Sequence, residues 1–145
     1  MILKGNQRAS GQELARHLLN VDDNEHALVH ELRGFLAEDL FGAFQETEAV
    51  SLGTKCQQYL FSLSLNPPQT EKVSVAEFEA VIADIERRLG LTDQPRAIVF
   101  HEKKGRPHAH CVWSRIDAAK MRAINLPHFK LRLTDSRDER RASVN

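Results

Sequence analysis

Residues 97–113 constrain this chain more tightly than any other stretch. An apolar run, Ala97-Ile98-Val99-Phe100, leads into His101-Glu102-Lys103-Lys104-Gly105-Arg106-Pro107. A second extended run, His108-Ala109-His110-Cys111-Val112-Trp113, leads out. Two such runs around a charged segment with Gly and Pro predict a β-hairpin with a connection of several residues. Successive strand side chains point to opposite faces, so His108 and His110 project from one face, roughly 6 to 7 Å apart. Two imidazoles held that way can converge on one divalent ion, and His101, ending the partner strand, can supply a third nitrogen. The competing reading is three polar residues on a solvated sheet face.

A hairpin needs neighbouring strands and a covering layer, and the rest of the chain offers both. Ser74-Val75-Ala76-Glu77 has the form of a capping box, and Phe78, Val81, Ile82, Ile85 and Leu89 follow at helical spacing up to Gly90. In Gln58–Leu65, Tyr59, Phe61, Leu63 and Leu65 alternate with Ser62 and Ser64, which predicts a strand ended by Pro67-Pro68. His26–Phe35 reads as another strand, stopping at Gly34, and residues 37–51 as a helix with Leu40, Phe41 and Phe44 on one face. Ser10 with Glu13 predicts a capping box for a first helix to about Leu19, buried through Leu14, Ala15 and Leu18. Residues 1–9 read as a basic loop whose Lys4 and Arg8 can contact phosphate. A short helix is expected over Pro127–Leu133, followed by a disordered tail at 134–145. These elements predict one domain, residues 1–133, of the α+β class. Its mainly antiparallel sheet would carry helices packed on one face and the His-x-His hairpin on the open face.

Composition narrows the setting. No apolar run approaches a membrane span, the N-terminus lacks a secretory stretch, and two cysteines make no disulfide framework, so a cytoplasmic protein is expected. Zero net charge conceals an asymmetry. Residues 1–101 hold 9 Lys and Arg against 15 Asp and Glu, and residues 102–145 hold 11 against 5. A cationic segment beside a metal site suits a polyanionic substrate. Its candidate phosphate contacts are Lys103, Lys104, Arg106, Arg115, Lys120, Arg122, Lys130 and Arg132.

The His101-x6-His108-x-His110 pattern, with a proline directly before the pair, resembles the signature of HUH-type relaxases, the mobilisation nucleases that nick plasmid DNA for conjugation. The order of elements around it is also similar. The resemblance implies metal-dependent transesterification, with His101, His108 and His110 holding Mg²⁺ or Mn²⁺ at the scissile phosphate. It implies single-stranded DNA from an origin of transfer as substrate, other conjugation proteins as partners, and a covalent protein–DNA intermediate. The tyrosine expected on the N-terminal helix is missing. Leu14-Ala15-Arg16-His17-Leu18-Leu19-Asn20 resembles that segment with His17 in its place, which makes His17 the candidate nucleophile. Tyr59, the only tyrosine, alternates with apolar residues and reads as core. Relaxases usually extend well past this length, so a truncated or shortened relative is expected. Two other functions fit the residues. One is a binding module that grips single-stranded DNA without cutting; the other is an unrelated tri-histidine hydrolase with Glu102 as the nearest general base.

Overall fold

In the computed structural model, which describes residues 1–20 and 26–126, the predicted hairpin lies at the centre of a five-stranded antiparallel sheet. The strands are β1 (Ile2–Arg8), β2 (His26–Arg33), β3 (Leu60–Asn66), β4 (Arg96–Lys103) and β5 (Arg106–Ser114), in the order β1-β3-β5-β4-β2. The helices are α1 (Gly11–Leu18), α2 (Leu40–Ser51) and α3 (Val75–Leu89). A small separate hairpin, β6 (Ile116–Asp117) with β7 (Arg122–Ala123), follows β5. The β4–β5 connection is tighter than expected. Lys103 pairs with Arg106, which leaves Lys104 (φ 53°) and Gly105 (φ 74°) as a two-residue turn. Positive φ at both positions matches the right-handed twist of the flanking strands.

The α+β class and the antiparallel sheet agree with the sequence; the placement of the helices does not. Phe61, Leu63, Leu65, Ile98, Cys111 and Trp113 pack against Phe78, Ile82, Ile85 and Leu89 of α3. Leu60, Ala97, Val99 and Val112, on the other face, pack against Leu14 and Leu18 of α1 and Leu40 and Phe44 of α2. The sheet is therefore covered on both faces, and the histidine face is not a fully open one. The reason lies in β4 and β5 themselves: Ala97-Ile98-Val99 and Cys111-Val112-Trp113 are uninterrupted apolar runs, the pattern of strands buried on both sides.

Residues 2–8 form an edge strand rather than a loop, paired with β3 from Ile2↔Asn66 to Arg8↔Leu60. Its alternation is muted because only one face meets core. Leu3 packs toward α3, while Ile2, Lys4 and Asn6 are exposed. The capping box at Ser74 and Glu77 is present, and α3 ends at Gly90 in the left-handed region (φ 73°). The box expected at Ser10 is not: the Ser10 side chain makes no capping bond. The Tyr59 hydroxyl does that work, accepting from the Gly11 N–H at 2.9 Å and donating to the Glu48 carboxylate at 3.2 Å. Glycine is needed there, since a Cβ on Gly11 would sit 2.8 Å from the Phe44 Cβ. Tyr59 is core, as expected, but belongs with α1 and α2 because β3 begins only at Leu60. The helix expected over 127–133 and the tail at 134–145 lie outside the described residues. Among those residues no helix is long and apolar enough to cross a membrane.

One buried carboxylate ties the far end of the sheet to α3. Glu86 accepts from Arg33, from Arg96 at 3.1 Å and from the Trp113 indole N–H at 2.9 Å. Burial pushes this carboxyl up, but the hydrogen bonds from Arg33 and Trp113 and the charges of Arg33 and Arg96 outweigh it, leaving its pKa below the ordinary value of 4.5. Glu86→Ala leaves two guanidinium groups without their shared partner and should cost about 3 to 5 kcal/mol. A carboxyl with a depressed folded-state pKa stabilises fully above its unfolded pKa, and that contribution is lost as pH falls through the folded value. Urea-unfolding midpoints of wild type and Glu86→Ala should therefore converge as pH drops below 4.5. A gap that stays constant through that range would show that the ionised carboxylate is not what binds this end together.

Candidate functional site

The three histidines share one face of the hairpin. His101 on β4 is directly opposite His108 on β5, and His110 is paired with Val99 on one side and Ser64 on the other. His101 is buried, while His108 and His110 are half-buried. The His101 and His110 rings lie 4.4 Å apart between centroids, tilted by 52°. The Nε2 of His101 donates to the carbonyl of Leu18, the last residue of α1. That bond puts the proton on Nε2 and leaves Nδ1 with a lone pair. The His108 ring meets Asn66 of β3, Nδ1 to Oδ1, at 2.9 Å.

Burial sets the electrostatics of this group. It depresses the His110 pKa to about 3, with repulsion from His101, His17 and His108 adding to the effect. His101 is lowered first by burial and then by His17, against the opposing pull of its bond to Leu18. His108 is lowered by burial and by the charges of Arg106, His101 and Lys103. Near neutral pH all three rings are neutral, the form that ligates a metal. The donor chemistry therefore fits a divalent ion. Among the described residues, however, no three His, Cys, Asp or Glu side chains already stand together at ligand spacing.

His17 is exposed in the last turn of α1, one residue before the carbonyl that holds His101. The bond from His101 to the carbonyl of the next residue, Leu18, fixes this end of α1 against the histidine group. Tyr59 is bonded to the opposite end of the helix, six residues away or about 9 Å of helical rise.

The expected cations divide. Lys103 and Arg106, paired across the hairpin two residues beyond His101 and His108, lie on the histidine face, and Lys104 is exposed in the turn. Lys4 is opposite Ser64, which is itself opposite His110, so exposed Lys4 flanks the same face. Arg8, half-buried, is further along β1 with the same alternation. Arg115 does not belong with them. It is buried and its guanidinium donates to the Gln58 carbonyl at 2.7 Å and the Ile124 carbonyl at 3.0 Å, a structural clamp rather than a phosphate contact. Lys120 and Arg122 are exposed on the β6–β7 hairpin, and Lys130 and Arg132 lie outside the described residues. Alternation puts Glu102 on the face opposite the histidines, which removes the base of the unrelated-hydrolase reading. His30 is a surface residue, 3.6 Å from Glu79 with its ring against Phe100. Two partners of the site escaped sequence reasoning, the Leu18 carbonyl and Asn66. No local pattern marks a carbonyl or an amide as the neighbour of a ring 83 or 42 residues away.

The outcome is a histidine-bearing hairpin, cations at its tip and on β1 beyond β3, and a helix end with a fourth histidine in its last turn, fixed to the first by the Leu18 carbonyl. A family model described as the nuclease domain of MobA/VirD2-like relaxases matches residues 14–142. No curated protein matches the chain. The matched span starts within α1, includes His17 and runs through the whole hairpin. This chain belongs to the MobA/VirD2-like relaxase family, of which it carries the nuclease domain.

Proposed function

We propose that this domain nicks single-stranded DNA by transesterification, with His17 as nucleophile and with His101, His108 and His110 as ligands of Mg²⁺ or Mn²⁺. The observation that carries the reading is the docking of α1 on the histidine group. The residue after His17 gives its carbonyl to His101, so nucleophile and ligands share one mechanical connection. In the reaction, a lone pair of the His17 imidazole attacks phosphorus in line with the 3′ oxygen. A P–N bond forms as the P–O3′ bond breaks; the 3′ oxygen leaves and takes up a proton, and the ring's remaining N–H proton is released to water. The 5′ phosphoryl end stays on the protein as a phosphoramidate. A bound metal supplies Lewis-acid polarisation of the scissile phosphate at this point. Lys103, Lys104, Arg106, Lys4 and Arg8 would hold the flanking phosphates, since such contacts position a strand without reading its sequence. The cellular setting this implies is cytoplasmic plasmid mobilisation at an origin of transfer, alongside other conjugation proteins.

The test is a covalent one. Protein, Mn²⁺ and a labelled random-sequence pool of single-stranded DNA should give a shifted protein band on denaturing gels. The band should be absent in His17→Ala, remain in Tyr59→Phe, and decay on mild acid treatment, because a phosphoramidate is acid-labile and a tyrosyl phosphodiester is not. An adduct that survives His17→Ala assigns the nucleophile elsewhere. A mobility shift seen only on native gels would instead indicate a domain that binds the strand without cutting it.

The ligand assignment has its own readout. A ligand bound only to the folded state stabilises by mass action, about 2.7 kcal/mol at one hundred times its Kd. Mn²⁺ should therefore raise the melting temperature of wild type and leave a His108→Ala/His110→Ala double variant unmoved. Equal shifts in both proteins would mean that the ion binds somewhere else.

A further inference from the structure

The contact between β3 and the hairpin is more specific than packing requires. Asn66 is the last residue of β3, held extended by the buried Pro67 that follows it. The register Ser64↔His110 and Leu65↔Ala109 brings it alongside His108, and its Oδ1 lies 2.9 Å from Nδ1 of that ring. Its other amide atom is also committed: Nδ2 donates to the Ser64 hydroxyl at 3.2 Å. With the NH₂ group turned toward Ser64, the atom facing the imidazole is the oxygen, which can only accept. The ring nitrogen opposite it must then carry the proton.

We infer that Asn66, hydrogen-bonded to Ser64, is a positioning residue that fixes His108 as the Nδ1–H tautomer and so makes Nε2 the donor nitrogen of this ring. Resting on the metal reading above, the consequence is that the two paired histidines present different nitrogens. His101 keeps its proton on Nε2 for the Leu18 carbonyl and offers Nδ1; His108 keeps its proton on Nδ1 for Asn66 and offers Nε2. Opposite tautomers on directly paired residues need two different acceptors, and the fold provides one from α1 and one from β3. Partners of this kind set ring orientation as well as tautomer, and their loss typically weakens metal binding 10- to 100-fold.

The test begins without metal. In ¹⁵N-histidine-labelled, metal-free protein, long-range ¹H–¹⁵N spectra should show His108 protonated on Nδ1 and bare on Nε2. Asn66→Ala should lose that preference. Asn66→Asp, which keeps an oxygen acceptor at the same place, should retain it, and Ser64→Ala should weaken it by freeing the amide to turn. Calorimetric titration with Mn²⁺ should then show affinity about 10- to 100-fold lower in Asn66→Ala and largely restored in Asn66→Asp. A wild-type His108 protonated on Nε2, or a spectrum unchanged in Asn66→Ala, overturns the inference. Should the tautomers behave as stated while wild type takes up no Mn²⁺, the positioning role stands and the metal reading falls.

Discussion

The register of β4 against β5 decides where the three histidines of the hairpin sit. It is pinned by a two-residue turn whose members, Lys104 and Gly105, both adopt positive φ. A slip of one residue would rotate His108 and His110 into the layer filled by α3 and turn Ala109 and Cys111 toward α1. Because both faces of these strands are buried, such a slip exchanges side chains of very different size and polarity between two packed cores. The pairing Ile98↔Cys111 and Ala97↔Val112 is therefore strongly specified, and the pairing His101↔His108 is fixed along with it. The histidine pair owes its place to the apolar pairs beside it.

Helix α1 is fastened at both ends, and neither fastening is a hydrophobic contact. At its start the Tyr59 hydroxyl accepts the Gly11 N–H; at its end the Leu18 carbonyl accepts from His101. Between them Leu14, Ala15 and Leu18 set the depth of the helix against α2 and the sheet. An eight-residue helix is too short to be stable by itself, so its geometry comes from these tertiary contacts. For His17 this means a controlled position: the side chain is exposed, but the backbone that carries it is tied to the histidine group. Under the proposed reaction, that arrangement would suit a nucleophile that must approach phosphorus to within about 3 to 3.5 Å.

Much of this was legible in the residues, and the failures share physical causes. Helix α3 was plain because its capping box, its apolar spacing and its terminal glycine all point the same way. Strand β3 and the histidine pair were plain because alternation survives wherever one face is polar. Strand β1 was hidden because an edge strand with a single half-buried face has little alternation to show. The helices α1 and α2 were expected, but not their place on the second face, although the signal lay in β4 and β5, whose unbroken apolar runs need cover on both sides. The Ser10–Glu13 motif was misleading, since a hydroxyl from residue 59 took over the cap. Arg115 read as a surface cation because charge alone does not reveal that three backbone and sulfur acceptors lie within reach of a buried guanidinium.

In the proposed site the histidine face of the hairpin gathers one divalent ion beside His17. Anomalous diffraction at the manganese edge, from crystals soaked in Mn²⁺, addresses it most directly. A single strong peak is expected among His101, His108 and His110, with Nδ1 of the first and Nε2 of the second turned toward it and His17 on the same side of the sheet. A peak at carboxylates away from the hairpin, with the three rings unmoved, would contradict the claim.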